Sequence, residues 1–199
     1  FYPSTNNQYS YMMGQYHFVF PKLRSFYIGT RNDGGTNRLI VYRADLEITT
    51  STFTRWSDFK TVGSDHLTDD TWHHIALTIK PFGNSWRTNL YVDGSSVSLT
   101  TLGGAVNASN TATPANSNMV MTMARYNTTY DPFDLNEIAF WSTGLSASEI
   151  DFIYDQGLQG LDFTKQSGDY ASAADLYAWY KMGDNKDSSG TLEPDASGN

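Results

Sequence analysis

WHHIALTIKPFGNSWRTNLYVDGSSV, residues 72–97, is the stretch whose reading decides the fold. Ile75, Leu77 and Ile79 alternate with His74, Ala76 and Thr78, the period of two that belongs to a strand covered on at least one side. Gly83 to Trp86 reads as a loop. Leu90 to Val92 then runs into Asp93-Gly94, the dipeptide that supplies the positive φ angles of a tight hairpin turn, with Ser96 to Leu99 as the expected return strand.

Working outward, the N-terminal side is more of the same. Tyr16 to Phe20 alternates aromatic and polar groups and stops at Pro21; Phe26 to Ile28 follows; Asp33-Gly34-Gly35 turns the chain; Arg38 to Arg43 and Leu46 to Thr50 are the next expected strands. No stretch of residues 1–60 keeps apolar side chains at helical spacing for more than two turns. Tyr2, Tyr9, Tyr11 and Tyr16 are read as packing residues. From Trp56 to Thr71 the chain is polar and is expected to be a loop.

On the C-terminal side, residues 103–118 form a long segment rich in Ala, Asn, Ser and Thr, expected as a surface loop. Met119, Met121 and Met123 then recur at strand spacing, which points to core filling. Leu135 to Trp141 is the next expected strand. The helix after it has a well-specified start: Ser146 as N-cap, Glu149 completing a capping box, and Leu145 with Ile150 as a hydrophobic staple. Ile150, Ile153 and Tyr154 share a face, and Gly157 ends the helix, giving one short helix near residues 146–156. Leu176 to Met182 is a last strand, followed by a Gly/Asp/Ser-rich stretch. The fold class is therefore all-β, an antiparallel β-sandwich with one short helix. Its expected division is a sandwich over residues 1–165 and a C-terminal strand with its Gly/Asp-rich segment over 166–199, which either completes the sandwich or leads to a further unit.

Composition narrows the function. The 199 residues contain no cysteine, so disulfides and thiolate metal sites are excluded. No apolar run approaches the roughly 20 residues a membrane helix needs, and the first residues lack the zones of a signal peptide. A soluble chain that begins inside a longer protein is expected. The net charge of −8 is uneven: residues 1–60 carry seven basic and four acidic side chains, residues 131–199 three basic and thirteen acidic. An acidic end disfavours nucleic acid, whose binding requires phosphates to be neutralised by Lys and Arg, and it keeps a protein soluble.

The Trp-His-His opening, the alternating strand and LYVDG together resemble the middle of laminin-G-like jelly rolls in the concanavalin-A-like lectin and glucanase superfamily. A second likeness lies in FDLNEIAFWSTGLSASEIDFIYDQG, residues 133–157, which is similar to that family's penultimate strand and following helix, with Asn136-Glu137 where the family carries Asp-Glu. WYKMGD with its downstream DSSG resembles the segment that opens such a jelly roll. Its position here resembles the arrangement in bacteriophage and marine-virus structural proteins. The resemblance implies a jelly roll outside a cell or on a virion surface, and in some relatives a calcium ion at the loop rim.

No catalytic motif accompanies it. Glucanases of this fold place acids as Glu-x-Asp-x-x-Glu on one strand. Asp45-Leu46-Glu47 lacks the third acid, and Glu137 to Trp141 carries only one. His73 and His74, adjacent on a strand, point to opposite faces and cannot share a metal. No HExxH, nucleophile elbow or phosphate loop occurs. The expectation is a non-enzymatic recognition or adhesion module that binds a cell-surface or extracellular glycan. The alternatives are a structural domain contacting neighbouring domains or copies, and a divergent carbohydrate-active enzyme. The loop from Arg125 to Asp134 holds the candidate ligand-binding residues Tyr126, Asn127, Tyr130, Asp131 and Asp134, which offer aromatic faces for sugar rings beside oxygens suited to hydroxyls or to Ca2+. Trp86 is an outlying candidate. Asn107 and Asn127 also begin Asn-x-Ser/Thr sequons.

Overall fold

The computed structural model describes residues 9–14, 26–33, 36–44, 56–62, 67, 71–82, 85–101, 122–123, 125–126, 129–130, 135–157, 160–181 and 195–198. Its fold class matches the expectation: an all-β, antiparallel β-sandwich of the jelly-roll type with one short helix. The chain divides into two compact units, one of residues 1–72, 81–87 and 97–133, the other of residues 73–80, 88–96 and 134–199.

In the first unit β1 (Tyr9–Gly14), β2 (Phe26–Asp33), β3 (Thr36–Ala44) and β4 (Trp56–Thr61) pair antiparallel in succession. Asp33 pairs with Thr36, so the Gly34-Gly35 turn is where the sequence puts it. The strand β3 lies inside its sheet, and Leu39, Ile40 and Val41 are each 1% exposed. Successive residues of a strand face opposite ways, so β3 is buried on both faces. That explains its unbroken apolar run.

Residues 56–61, expected as loop, are the strand β4. Its apolar residues Trp56 and Phe59 are three apart and show no period of two, and pairing with β3 from Ala44↔Trp56 to Ile40↔Lys60 supplies what the local pattern lacks. The expected strands 16–20 and 46–50, the loop 103–118 and Met119–Met121 lie outside the described residues.

The organising stretch forms β5 (Ile75–Phe82), β6 (Ser85–Val92) and β7 (Ser95–Val97), neighbours in one sheet. Pro81 sits on β5 at the sheet edge, where a missing N–H is tolerated. Two corrections follow. Trp86 lies within β6 and not in a loop, because β5 ends at Phe82 and β6 resumes at Ser85, leaving only Gly83-Asn84 for the turn. The expected return strand is also divided: β7 ends at Val97 and β8 (Leu99–Thr101) pairs with β4, with Val62 N donating to Ser98 O at 2.9 Å between them.

The turn itself is as the sequence specifies. Asp93 and Gly94 have φ of +50° and +74°, the primed-turn geometry whose twist suits adjacent strands. A Cβ on Gly94 would lie 2.8 Å from Asp151 Oδ1 and 3.0 Å from Tyr154 Cδ1. Gly94→Ala is therefore expected to cost about 1–3 kcal/mol through strain and crowding, read as a lowered urea midpoint with unchanged slope; an unshifted midpoint would mean that the turn relaxes freely.

The second unit is built on α1 (Ala147–Gln156), β12 (Ile138–Trp141) and β13 (Leu176–Tyr180), with β12 and β13 antiparallel. Ser146 and Glu149 form the expected reciprocal capping box, and Gly157 closes the helix with φ of +67°. Ile150 and Ile153 are buried with Leu145, Tyr91, Phe163, Tyr170, Leu176 and Trp179 in one core. Tyr154, expected on the same face, is 42% exposed and stacks instead on the His74 ring at 6.0 Å. β12 begins three residues later than expected, because Glu137 takes a φ of +54° that no extended strand accommodates.

Candidate functional site

The candidate loop is carried by a two-stranded ribbon, β10 (Arg125–Tyr126) and β11 (Thr129–Tyr130). Register pairs Arg125 with Tyr130 and Tyr126 with Thr129, leaving residues 127 and 128 as the connection. A tyrosine paired with a β-branched threonine across a two-residue joint is ordinary hairpin chemistry. The ribbon thus brings the backbones of Tyr126 and Tyr130 together at successive positions. Asn127, Asp131 and Asp134 lie outside the described residues. Trp86 belongs to the β5-β6-β7 sheet and not to the ribbon.

Beside the primed turn a second polar group assembles, within the second unit. The Asp93 carboxylate takes His73 Nδ1 at 2.8 Å with Oδ2 and accepts the His74 backbone N–H at 2.9 Å with Oδ1. Asp93 N in turn donates to His74 O at 2.9 Å, so the turn and the strand entry are locked by side chain and main chain together. The two histidines diverge as expected, although they precede β5 and are not part of it: His73 faces Asp93, and His74 lies against Tyr154. Burial pushes the His74 imidazole below its ordinary value and outweighs the pull of Asp93 in the other direction. Its buried Nδ1 has no hydrogen-bond partner. A neutral ring serving as a packing surface is what such a site holds.

Glu137, at the position singled out in the sequence, accepts the Trp179 indole N–H through Oε2 at 2.7 Å, while Asn136 Oδ1 accepts the Glu137 N–H at 3.0 Å. On the indole face lies Lys181 Nζ, 4.2 Å from the ring centroid. Glu149 is committed further: its two oxygens accept from Ser146 N, Ser146 Oγ, Ala171 N and Ser172 Oγ. The Asp162 carboxyl is drawn down to about 2 by Lys165 Nζ and by the hydroxyl and amide of Thr164. Among the described residues every carboxyl with a displaced acidity is displaced downward: Glu149, Asp162 and Asp195. Stabilised anions of this kind are acceptors, not proton donors.

Sequence reasoning did not single out the exposed aromatics. Trp72 is 60% and Tyr177 71% exposed. In Leu176-Tyr177-Ala178-Trp179 a register shift opposite Phe140 and Trp141 leaves Tyr177 as the extra, exposed residue, while Leu176, Ala178 and Trp179 are buried. A bulge of this kind leaves no signature in sequence. Among the described residues no three His, Asp or Glu side chains are grouped to hold a metal ion.

Comparison with known proteins adds one match. A family model described as the concanavalin A-like lectin/glucanases superfamily covers residues 4–151, which include the organising hairpin and the β10-β11 ribbon. No curated protein and no solved structure matches the chain.

Proposed function

The chain belongs to the concanavalin A-like lectin/glucanases superfamily, and from that premise we propose that it is a non-catalytic module that binds a glycan as part of a larger extracellular or virion surface protein. The observation that carries the reading is the family match itself, which spans the ribbon bearing Tyr126 and Tyr130. Aromatic positions held by a short ribbon, with Asn127, Asp131 and Asp134 beside them in sequence, supply the stacking face and oxygen acceptors that sugar recognition uses. The same oxygens suit a calcium ion. What supports a non-catalytic reading is the sequence, in which no Glu-x-Asp-x-x-Glu run occurs.

A glycan array probed with the folded chain, first with calcium and then with chelator, tests the reading. Specific binding is expected, falling about tenfold or more in the Tyr130→Ala/Asp131→Ala variant, the scale of losing a central aromatic anchor and a charged contact. Binding that survives this double change would move the site elsewhere. Absence of binding in both conditions would replace the lectin reading with an assembly role.

A further inference from the structure

The second unit contains a contact that the glycan-binding reading does not use. Residues 195–198 return to the outer edge of β13, the edge opposite β12, with Asp195 in an antiparallel bridge to Tyr180. Asp195 Oδ1 accepts the Trp179 backbone N–H at 2.8 Å and, at 2.9 Å, the Ser197 N–H of its own segment. Ala196 N donates to Trp179 O at 2.6 Å, and Ser197 Oγ to Tyr177 O at 3.4 Å. Residues two apart on a strand present their main-chain groups to the same edge. Trp179 and Tyr177 are such a pair, and the segment takes them in turn.

The chemistry is that of a short peptide bound by strand addition. Main-chain bonds give the attraction, and two side chains give selectivity. The carboxylate of Asp195 replaces the carbonyl that an ordinary added strand would offer to Trp179 N–H, and it folds its own segment by holding Ser197 N–H. Burial raises the pKa of Asp195, but the hydrogen bonds from Trp179 and Ser197 outweigh it and hold the carboxyl below its ordinary value, so the acceptor is charged at neutral pH. Ala196 packs against the core that contains Trp179 and Tyr170. A larger residue there would have to displace that core.

We propose that the outer edge of β13 is a strand-acceptor site for an Asp-Ala-Ser segment, filled here by residues 195–197 and open to the same segment of a second copy of the chain. Among the described residues the segment meets β13 edge-on, through hydrogen bonds to the main chain of Tyr177 and Trp179, and Asp195 and Gly198 at its two ends are exposed. Edge contacts with solvent-exposed flanks open locally without unfolding the domain. An acceptor edge and a donor segment on one chain make a heterologous contact, which joins copies head to tail.

The full-length Asp195→Ala chain tests this, because it keeps the acceptor edge while weakening its own donor. A fluorescently labelled peptide of residues 191–199, TLEPDASGN, is expected to bind this variant at least about tenfold more tightly than it binds the wild-type chain, whose edge is occupied. The same peptide with Asn in place of the aspartate is expected to lose about tenfold. Amide hydrogen exchange at Trp179 provides an independent readout and is expected to accelerate in the variant and slow again when peptide is added. Folded variant that binds no peptide, binding indifferent to the aspartate, or a Trp179 amide as protected in the variant as in wild type would each overturn the proposal.

Discussion

Replacing Tyr170 by alanine is expected to lower the unfolding free energy by about 4 kcal/mol. Tyr170 is fully buried, and its ring meets Phe163 at 5.9 Å and Trp141 at 6.3 Å, both edge-on. Its hydroxyl accepts from Trp141 Nε1 at 2.8 Å and donates to Phe163 O at 2.9 Å. Burial pushes the phenol's pKa up, so the proton needed for that second bond stays in place. Alanine removes the ring and strands an indole N–H and a carbonyl in a dry core. Tyr170→Phe separates the two losses: the ring remains, the hydrogen bonds go, and about 1–3 kcal/mol is expected. Urea denaturation followed by tryptophan fluorescence measures both. Equal effects of the two variants would show that the hydroxyl dominates and that ring packing contributes little. Since domains are commonly stable by only about 5–15 kcal/mol, the alanine variant would sit close to its unfolding threshold at physiological temperature.

How much of this was legible in the sequence depends on how local the cause is. The primed turn at Asp93-Gly94 and the capping box of Ser146 and Glu149 are written in two to four adjacent residues, and both are found where expected. β4 was not legible, because its order comes from β3, a partner that no local pattern of Ser57, Asp58 and Lys60 reveals. Trp86 illustrates the middle case. Gly83-Asn84 is itself a hairpin signal, and giving the turn to those two residues alone would have placed Trp86 on the strand.

The candidate site was legible only as composition. The proposed glycan-binding residues come from the tyrosines, the asparagine and the acids between residues 125 and 134, and among these the structure describes the backbones of Tyr126 and Tyr130, on the ribbon β10-β11. The positions that organise the second unit were hidden for a different reason. Tyr170 and Phe163 sit in a stretch with no periodicity, and each acquires its role from Trp141 and Trp179, far away in the chain. The Trp179 amide likewise finds Asp195 across a separation that no spacing rule spans.

Glu149 carries the second large effect, and it is expected to appear as a dependence on pH. The carboxylate closes the capping box at the start of α1 and also holds Ala171 N at 3.2 Å and Ser172 Oγ at 2.6 Å, so one side chain fixes the helix and the chain leading to β13. Burial pushes its pKa up, but the hydrogen bonds from Ser172, Ser146 and Ala171 outweigh it and bring the folded value below the ordinary 4.5. A carboxyl whose pKa is depressed on folding stabilises the protein above its unfolded value, and that contribution disappears as pH falls through the folded value. His74 contributes in the same direction at higher pH. Its pKa is depressed below 6.5, so the neutral ring is favoured by folding and stability declines once the unfolded histidine takes up a proton. Wild type should therefore lose stability in two stages on acidification. Glu149→Gln, which cannot accept on both sides, is expected to cost about 2–3 kcal/mol at pH 7. As pH falls below the ordinary 4.5 the gap between variant and wild type should narrow, and it should close once pH has passed the folded value and the wild-type carboxyl is protonated as well. Thermal unfolding of both chains from pH 7 to pH 3 measures the gap directly. A difference that stays constant with pH would mean that Glu149 acts through its shape alone, and a difference that widens on acidification would reverse the sign of the argument.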